Sequence, residues 1–373
     1  MPAAPRSGVA FTVVVTVLSV LGGGIMMLVV ALSGAPGSML VATALAALPV
    51  GPLVACYVWL DRYEPEPRHL LALGLVWGGL VATAAALVIQ GIGGLVAGFS
   101  DALTLAVVAP VSEEATKGLF LLLLLWWRRS ELDGVLDGLV YAGMVGIGFA
   151  FVENIFYLAA AYNGTDGLGP GGTEALTATF VLRVLASPFA HPLFTSFTGI
   201  GVGVAVASRR TSVRVLAPVL GYCAAVLAHA VWNLAAVGGA RGFVGLYVVV
   251  MAPMFLALVG FAVWSRQSER RVLAIALTDA ARRGLLPATD IGWVVDLGAR
   301  RRSRAWARDT GGREGERAMR SYQQAAVELG FLHYRYLRGT PPPDFAARGQ
   351  AYVERIARVR PSISFPGQVV PTR

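Results

Sequence analysis

Two adjacent carboxylates and a lysine, Glu113, Glu114 and Lys117, interrupt an apolar stretch at residues 102–127. An ionised side chain at the centre of a bilayer costs at least about 2.5–3.5 kcal/mol, so three of them within little more than one helical turn require compensation. On a helix the lysine can pair with either acid, because it follows them by three and four positions. The two carboxylates point about 100° apart, so one can be held in an ion pair while the other does chemistry.

Further polar residues lie in later apolar runs of the sequence. Glu153 and Asn154 are neighbours, His191 precedes a proline, and His229 and Asn233 are four positions apart, which places both on one helix face. Carboxylates and imidazoles transfer protons, and amides orient water and oxyanions. Four apolar segments that each carry such groups predict a hydrolytic site buried in a membrane.

Hydrolysis of a peptide bond needs a base that activates water, donors for the oxyanion and an acid for the leaving amine. In one arrangement His191, His229 and Glu153 bind zinc and leave a position open for water, while another glutamate is the base. In the other arrangement no metal is bound. A glutamate then activates the water, and His229, Asn233 or Asn154 orients it and stabilises the oxyanion. The zinc-protease motif HExxH is absent, and both arrangements stay open, as does the choice of Glu113 or Glu114 as the base.

Membrane-spanning helices must position these residues. The 373-residue chain is 56% hydrophobic and 14% charged, whereas about a quarter of the residues in soluble domains are charged. The composition predicts an all-α, polytopic membrane protein, and the first apolar run is longer than a signal-peptide core, so we expect it to be a retained span. Windows of about 20 apolar residues can be placed at 9–32, 38–60, 70–97, 102–127, 138–161, 187–207, 214–237 and 243–264.

Basic residues mark alternate connections between these eight windows, which by the positive-inside rule predicts that both termini are cytoplasmic in a multi-pass protein of the cell membrane. With that orientation the polar residues lie at comparable depths in the outer half of the bilayer, roughly 6–16 Å from its outer surface. The stretch 174–207 is too long for one span, and Ser187 with Pro188 predicts a helix break before the sixth window. The basic connections are those with Arg6, with Arg62 and Arg68, with Arg128 and Arg129, and with Arg209, Arg210 and Arg214.

The composition changes after Trp264, which predicts a transmembrane domain at 1–264 and a cytoplasmic tail at 265–373. The tail holds 20 arginines and 10 acidic residues, a net charge of +10, whereas the rest of the chain has a net charge of −1. We expect two or three amphipathic helices there, separated near Gly311 and Gly312 and near the prolines 341–343. A basic module next to a membrane predicts an anionic lipid surface as its partner rather than nucleic acid.

The motifs together resemble those of the PrsW-type intramembrane proteases, distant relatives of the CAAX prenyl endopeptidases. Glu113 to Lys117 is similar to an EExxK motif, Phe149 to Asn154 to an FxxxEN motif, and the segments at His191 and His229 to later histidine motifs. The resemblance implies a metalloprotease or glutamate-type peptidase that cuts membrane-associated protein substrates, in some relatives an anti-sigma factor. It extends over about residues 41–264, outside the basic tail.

Two other classes of protein use similar residues. A proton- or ion-coupled transporter can relay charge through the same glutamates, histidines and lysine. Inverted repeats would favour that alternative, and none is evident in the sequence. An inactive membrane scaffold that binds partners through its tail is the third possibility.

Overall fold

Every regular element that the computed structural model describes is a helix. The described residues are 6–33, 36–165, 170–237 and 239–367. Residues 1–5 and 368–373, at the ends of the two predicted domains, lie outside the described residues, as does Gly238 in a predicted loop. The chain divides into two compact units, the first formed by Met1–Asp61 with Glu66–Ala262 and the second by Arg62–Pro65 with Val263–Arg373.

Helices form the first unit because a backbone surrounded by lipid must satisfy its own hydrogen bonds. Among the described residues, the π-helical segments Trp77–Ala82, Thr104–Val108 and Tyr247–Met251 each join two consecutive helices, and a fourth, Phe180–Ala186, ends at a break in the helix. The helices are α1 (Arg6–Leu32), α2 (Pro36–Ala47), α3 (Val50–Leu60), α4 (Arg68–Val76), α5 (Thr83–Ala97), α6 (Asp101–Leu103), α7 (Ala109–Trp127), α8 (Val135–Asn163), α9 (Thr173–Thr179), α10 (Ala190–Ala207), α11 (Thr211–Val237), α12 (Gly239–Leu246) and α13 (Ala252–Arg282).

Seven helices within the described ranges are long and apolar enough to cross a membrane, and they overlap seven of the eight predicted windows. The remaining window, 102–127, is also helical, but it carries Glu113, Glu114 and Lys117 and is therefore less apolar. The prediction of an all-helical, multi-pass membrane protein is confirmed. The seven are Gly8–Leu32, Pro36–Leu60, Arg68–Ala97, Val135–Asn163, Thr173–Ala207, Thr211–Ala235 and Gly242–Arg282.

Helix α8 is the central helix of the first unit and is buried along most of its length. Glycines let its neighbours approach closely, as small residues do in membrane helix packing. A Cβ atom on Gly148 would overlap the carbonyl oxygen of Leu75, and one on Gly78 would overlap that of Val145. This tight packing fixes the part of α8 that carries Glu153.

The predicted break before the sixth window is present between Ala186 and Ala190. The Ser187 hydroxyl donates to the carbonyl oxygen of Leu182 at 2.7 Å, and the Tyr247 hydroxyl donates to that of Ala186 at 2.5 Å. Carbonyl groups freed at the break thus keep partners, as groups buried in an apolar setting must. The helix restarts at Ala190, which places His191 in its first turn.

The second unit contains α14 (Ile291–Val295), α15 (Leu297–Leu337) and α16 (Phe345–Val359). The predicted interruptions occur at Gly312, which has a left-handed φ of 62° inside α15, and at the prolines between α15 and α16. Helix α13 runs from Ala252 to Arg282 without a break at Trp264, where the composition changes.

A buried ion pair lies in the core of this second unit. Asp290 has no exposed surface and accepts hydrogen bonds from Arg360 Nε at 2.6 Å, Arg360 Nη2 at 3.1 Å and the Tyr322 hydroxyl at 2.5 Å. Phe365 is fully buried and stacks on Trp293. The tail is therefore a folded unit with a core of its own.

Candidate active site

A cavity of about 420 Å³ lies among the helices of the first unit and brings most of the predicted residues together. Its wall includes Glu113 from α7, Glu153 from α8, His191 from α10, and His229 and Asn233 from α11. Residues that lie more than a hundred positions apart in the sequence therefore share one space.

Lys117 lies behind this wall and is fully buried. Its Nζ is 2.8 Å from Glu114 Oε1, 3.5 Å from Glu113 Oε2 and 3.0 Å from His191 Nδ1, and it lies 3.7 Å from the centroid of the Phe149 ring. An ammonium group only donates hydrogen bonds, so His191 Nδ1 accepts and the imidazole proton is on Nε2. Lys117 thus offsets the charge of the two carboxylates and sets the tautomer of one histidine.

Glu114 is the organising carboxylate of the cluster. Its Oε1 accepts from Lys117 and from His229 Nδ1 at 3.1 Å, and its Oε2 accepts from the Thr195 hydroxyl at 3.0 Å. An ionised carboxylate only accepts, so His229 donates from Nδ1 and its Nε2 carries the lone pair. That Nε2 faces Glu113 Oε2 at 3.7 Å.

Glu113 differs from its neighbour in having one oxygen without a hydrogen bond. Its Oε1 accepts from Gln90 Nε2 at 3.3 Å, whereas its buried Oε2 has no hydrogen-bond partner. Buried polar atoms are nearly always hydrogen-bonded, so an orphan at the wall of a cavity needs an explanation such as an ion or a water. Glu113 Oε2 thus has only the ion-pair contact with Lys117 Nζ at 3.5 Å, whereas both oxygens of Glu114 accept hydrogen bonds.

Glu153 lies on the other side of His191. Its Oε2 accepts from His191 Nε2 at 2.7 Å and also pairs with Arg183 Nη2. Arg183 Nε donates to Asn154 Oδ1 at 2.9 Å. Asn154 is buried but does not line the cavity, so of the two neighbours only Glu153 faces it.

Asn233 is at the cavity wall but has a backbone partner. Its Nδ2 donates to the carbonyl oxygen of Leu105 at 2.9 Å, in the π-helical segment that precedes Pro110. The combination of a π-helical segment and a proline leaves carbonyl groups of this turn without their helical partner. In this conformation Asn233 satisfies one of them.

Three side chains offer ligand atoms to a metal ion within a short distance. One atom each from Glu113, His191 and His229 lies within 4.8 Å of the others, and all three residues are buried. Two imidazoles and a carboxylate form a donor set that zinc uses, and the orphaned Oε2 of Glu113 fits that role. Both ring nitrogens of His191 are engaged, so metal binding would exchange one of its hydrogen bonds.

This group differs from the set expected from the sequence, which had Glu153 in the place of Glu113. Glu153 is instead paired with Arg183 and His191. The carboxylate that lies close to both histidines is therefore Glu113 of α7. Glu153 of α8 forms an ion pair beside them.

Three contributors to the site have no role in the sequence-based prediction: Gln90, Arg183 and Thr195. Gln90 and Arg183 are polar residues in apolar runs, which is a signal that membrane segments offer. Thr195 gives no such signal, because a threonine in a span usually bonds to its own helix.

Comparison with known proteins places these residues in a family. A family model described as PrsW family intramembrane metalloprotease matches residues 66–258, more than half of the 373-residue chain. The chain is 29% identical over 155 residues to a protein named Protease PrsW from Geobacillus kaustophilus (strain HTA426). That match covers 41% of this chain and 61% of the relative. No solved structure matches the chain. Because the family match is this extensive and includes all the residues of the cavity cluster, the chain belongs to the PrsW family of intramembrane metalloproteases.

Proposed function

We propose that this protein is an intramembrane endopeptidase that hydrolyses peptide bonds of a membrane-associated protein substrate. The observation that carries the proposal is the orphaned Oε2 of Glu113, which faces Nε2 of His229 at 3.7 Å in the cavity. Family membership favours hydrolysis over the coupled transport that the same residues allow. An anti-sigma factor, the substrate that the family resemblance implies for some relatives, belongs to this class of substrate.

Glu113 performs the proton transfers in this mechanism. Its free oxygen takes a proton from water, and the same carboxyl group returns the proton to the leaving amine. Glu114 holds the Nδ1 proton of His229, so that Nε2 of this ring orients the water. Lys117 keeps the two adjacent carboxylates compatible with burial, because its ammonium group lies within 3.5 Å of both.

The oxyanion needs donors that are in place before the reaction. Asn233 offers an amide at the cavity wall if it leaves the Leu105 carbonyl, whereas the Nε2–H of His191 is already donated to Glu153. Pre-positioned donors in a water-poor cavity stabilise developing charge more than they would in water.

Zinc is the metal that we propose for the group of Glu113, His191 and His229, which would hold it. When bound, it would polarise the substrate carbonyl and lower the pKa of a bound water. Glu113 is then a ligand, and Glu153 is the carboxylate left at the cavity wall for proton transfer.

A cleavage assay with Glu113→Gln tests the function and separates the two uses of this residue. Purified protein is incubated with single-span membrane proteins, and its zinc content is measured in parallel. We expect Glu113→Gln to lose cleavage by at least about 10²-fold, the typical contribution of a general base, while the exposed control Glu174→Gln keeps it. If the variant also loses zinc that the wild type binds, Glu113 is a metal ligand. If both proteins bind the same amount of zinc, or neither binds any, Glu113 is the base. Full activity of Glu113→Gln would refute the proposal.

We also propose that both termini are cytoplasmic in the cell membrane and that the tail contacts anionic lipid. Basic residues on alternate connections support the orientation, and a net charge of +10 supports the lipid contact. Vesicles with and without phosphatidylserine test the second point with the isolated tail. Binding should require the anionic lipid and fall steeply with salt. Equal binding to neutral vesicles would exclude an electrostatic contact.

A further inference from the structure

We propose that Arg183 is a positioning residue that holds Glu153, and through it His191, in the geometry needed for hydrolysis. This inference rests on the proposed function. Arg183 contacts one face of α8 at three points: its Nη2 pairs with Glu153, its Nε donates to Asn154 Oδ1 at 2.9 Å, and its Cζ lies 3.7 Å from the centroid of the Tyr157 ring. Residues three and four apart share a helix face, so one guanidinium spans a full turn of α8.

A guanidinium group suits this place better than an ammonium group. It presents a planar fork of donors, can stack on an aromatic ring and stays charged. Arg183 uses all three properties at once, on Glu153, Asn154 and Tyr157. A lysine would keep the charge but lose the fork and the stacking.

The constraint passes from Glu153 to His191. Glu153 Oε2 lies 2.7 Å from His191 Nε2, and Lys117 Nζ lies 3.0 Å from Nδ1 of the same ring. The imidazole is thus fixed at both nitrogens, and one of the two anchors is itself held by Arg183. Without Arg183, Glu153 would lose its counter-charge and could turn towards the cavity, because its side chain is 16% exposed. A catalytic group misplaced by 1 Å can cost about 10²-fold in rate.

Apolar packing, and not only the contacts of Arg183, holds the segment that carries this residue. It lies in the π-helical stretch Phe180–Ala186, and such stretches are frequent at functional sites. Val184 of this stretch belongs to a buried apolar cluster that includes Leu158 of α8 and Ala46 of α2. This apolar packing does not involve the guanidinium group, so substitution of Arg183 should leave the segment in place.

A double-mutant cycle with Arg183→Lys and Glu153→Gln tests the inference on the full chain. We expect Arg183→Lys to lower kcat about 10- to 100-fold with little change in KM. In the Glu153→Gln background the same change should have little further effect, because the residue through which it acts is already altered. Millimolar guanidinium should restore activity to Arg183→Ala, and the exposed control Arg209→Lys should behave as wild type.

Nitrogen-15 NMR of labelled histidine gives a readout that does not depend on cleavage. The resonances of the His191 ring should shift most in Arg183→Lys. Those of His229, which bonds to Glu114 and meets His191 edge to face with 5.2 Å between the ring centroids, should shift less. Additive kinetic effects with an unchanged His191 spectrum would overturn the inference, since Arg183 would then act only by general stabilisation. If the wild type cleaves nothing, the proposed function fails, and the NMR comparison still decides whether Arg183 positions His191.

Discussion

The substitution Glu114→Gln removes one negative charge from the centre of the site while it leaves the hydrogen bonds possible. The glutamine oxygen can accept from Lys117 and His229, and its amide can donate to the Thr195 hydroxyl, which rotates and can accept. The main loss is therefore the counter-charge of Lys117, whose Nζ is 2.8 Å from Glu114 and fully buried.

Breaking a buried ion pair by removing one partner costs about 3–5 kcal/mol. Glu113 stays within 3.5 Å of Lys117 and compensates in part, so we expect the lower end of this range, about 3 kcal/mol. For a unit of roughly 250 residues, each kcal/mol lowers the melting temperature by about 2–4 °C, which gives a decrease of roughly 6–12 °C. Cleavage should fall as well, because His229 Nδ1 then donates to a neutral amide oxygen, a weaker hydrogen bond than the one to a carboxylate.

Thermal unfolding in detergent, followed by tryptophan fluorescence, measures this decrease. Glu113→Gln is the matched control. It makes the same chemical change at the adjacent residue, whose Oε2 has no hydrogen bond and a longer contact of 3.5 Å with Lys117, so its melting temperature should fall less than that of Glu114→Gln. Glu114→Gln combined with Lys117→Met should be destabilised further, because the buried Glu113 then loses its ion-pair contact with Lys117 Nζ at 3.5 Å. If Glu114→Gln melts like the wild type while Glu113→Gln is strongly destabilised, the assignment of the two carboxylates is wrong.

Gly148→Ala should destabilise the first unit by about 1–3 kcal/mol and reduce cleavage, because the added methyl group overlaps the Leu75 carbonyl. The control Gly94→Ala has open space around the added methyl group and should be neutral in the same melting and cleavage assays. Arg360→Ala leaves the buried Asp290 without its ion-pair partner and should destabilise the tail unit by about 3–5 kcal/mol. Hydrogen exchange in the tail should then be faster than in the exposed control Arg358→Ala, and equal protection of the two variants against exchange would contradict this prediction. Burial raises the pKa of Asp61 to about 8, so the folded state binds more protons than the unfolded state between about pH 4 and pH 8. The melting temperature should therefore fall as the pH rises through this range, and Asp61→Asn should flatten that profile; an unchanged slope in the variant would show that other groups cause it.

The sequence alone determined the class of the protein and predicted most of the residues that line the candidate site. Long apolar runs can only be helices in lipid, and a charge within such a run must have a partner, so Glu113, Glu114 and Lys117 mark a site without any tertiary information. The break before His191 was also readable, because proline acts on its local backbone.

Tertiary structure decided what each of these groups does. The spacing allows Lys117 to pair with either acid, and the difference between Glu113 and Glu114 arises from His229 and Thr195, which come from other helices. The distance and relative rotation of two helices depend on how they pack at glycines that allow close approach. A local sequence pattern does not encode this rotation.

The sequence also could not show which carboxylate lies beside the two histidines or which residues form the buried ion pair of the tail. By residue type, both Glu113 and Glu153 were suitable ligands. Only the folded structure places Glu113 beside the two histidines and Glu153 in an ion pair with Arg183. In the tail, composition predicted a basic surface, but the buried pair of Asp290 and Arg360 connects residues 70 positions apart. Charge and hydropathy act residue by residue and can be read along the chain, whereas the choice among several possible partners depends on distances that exist only after the chain has folded.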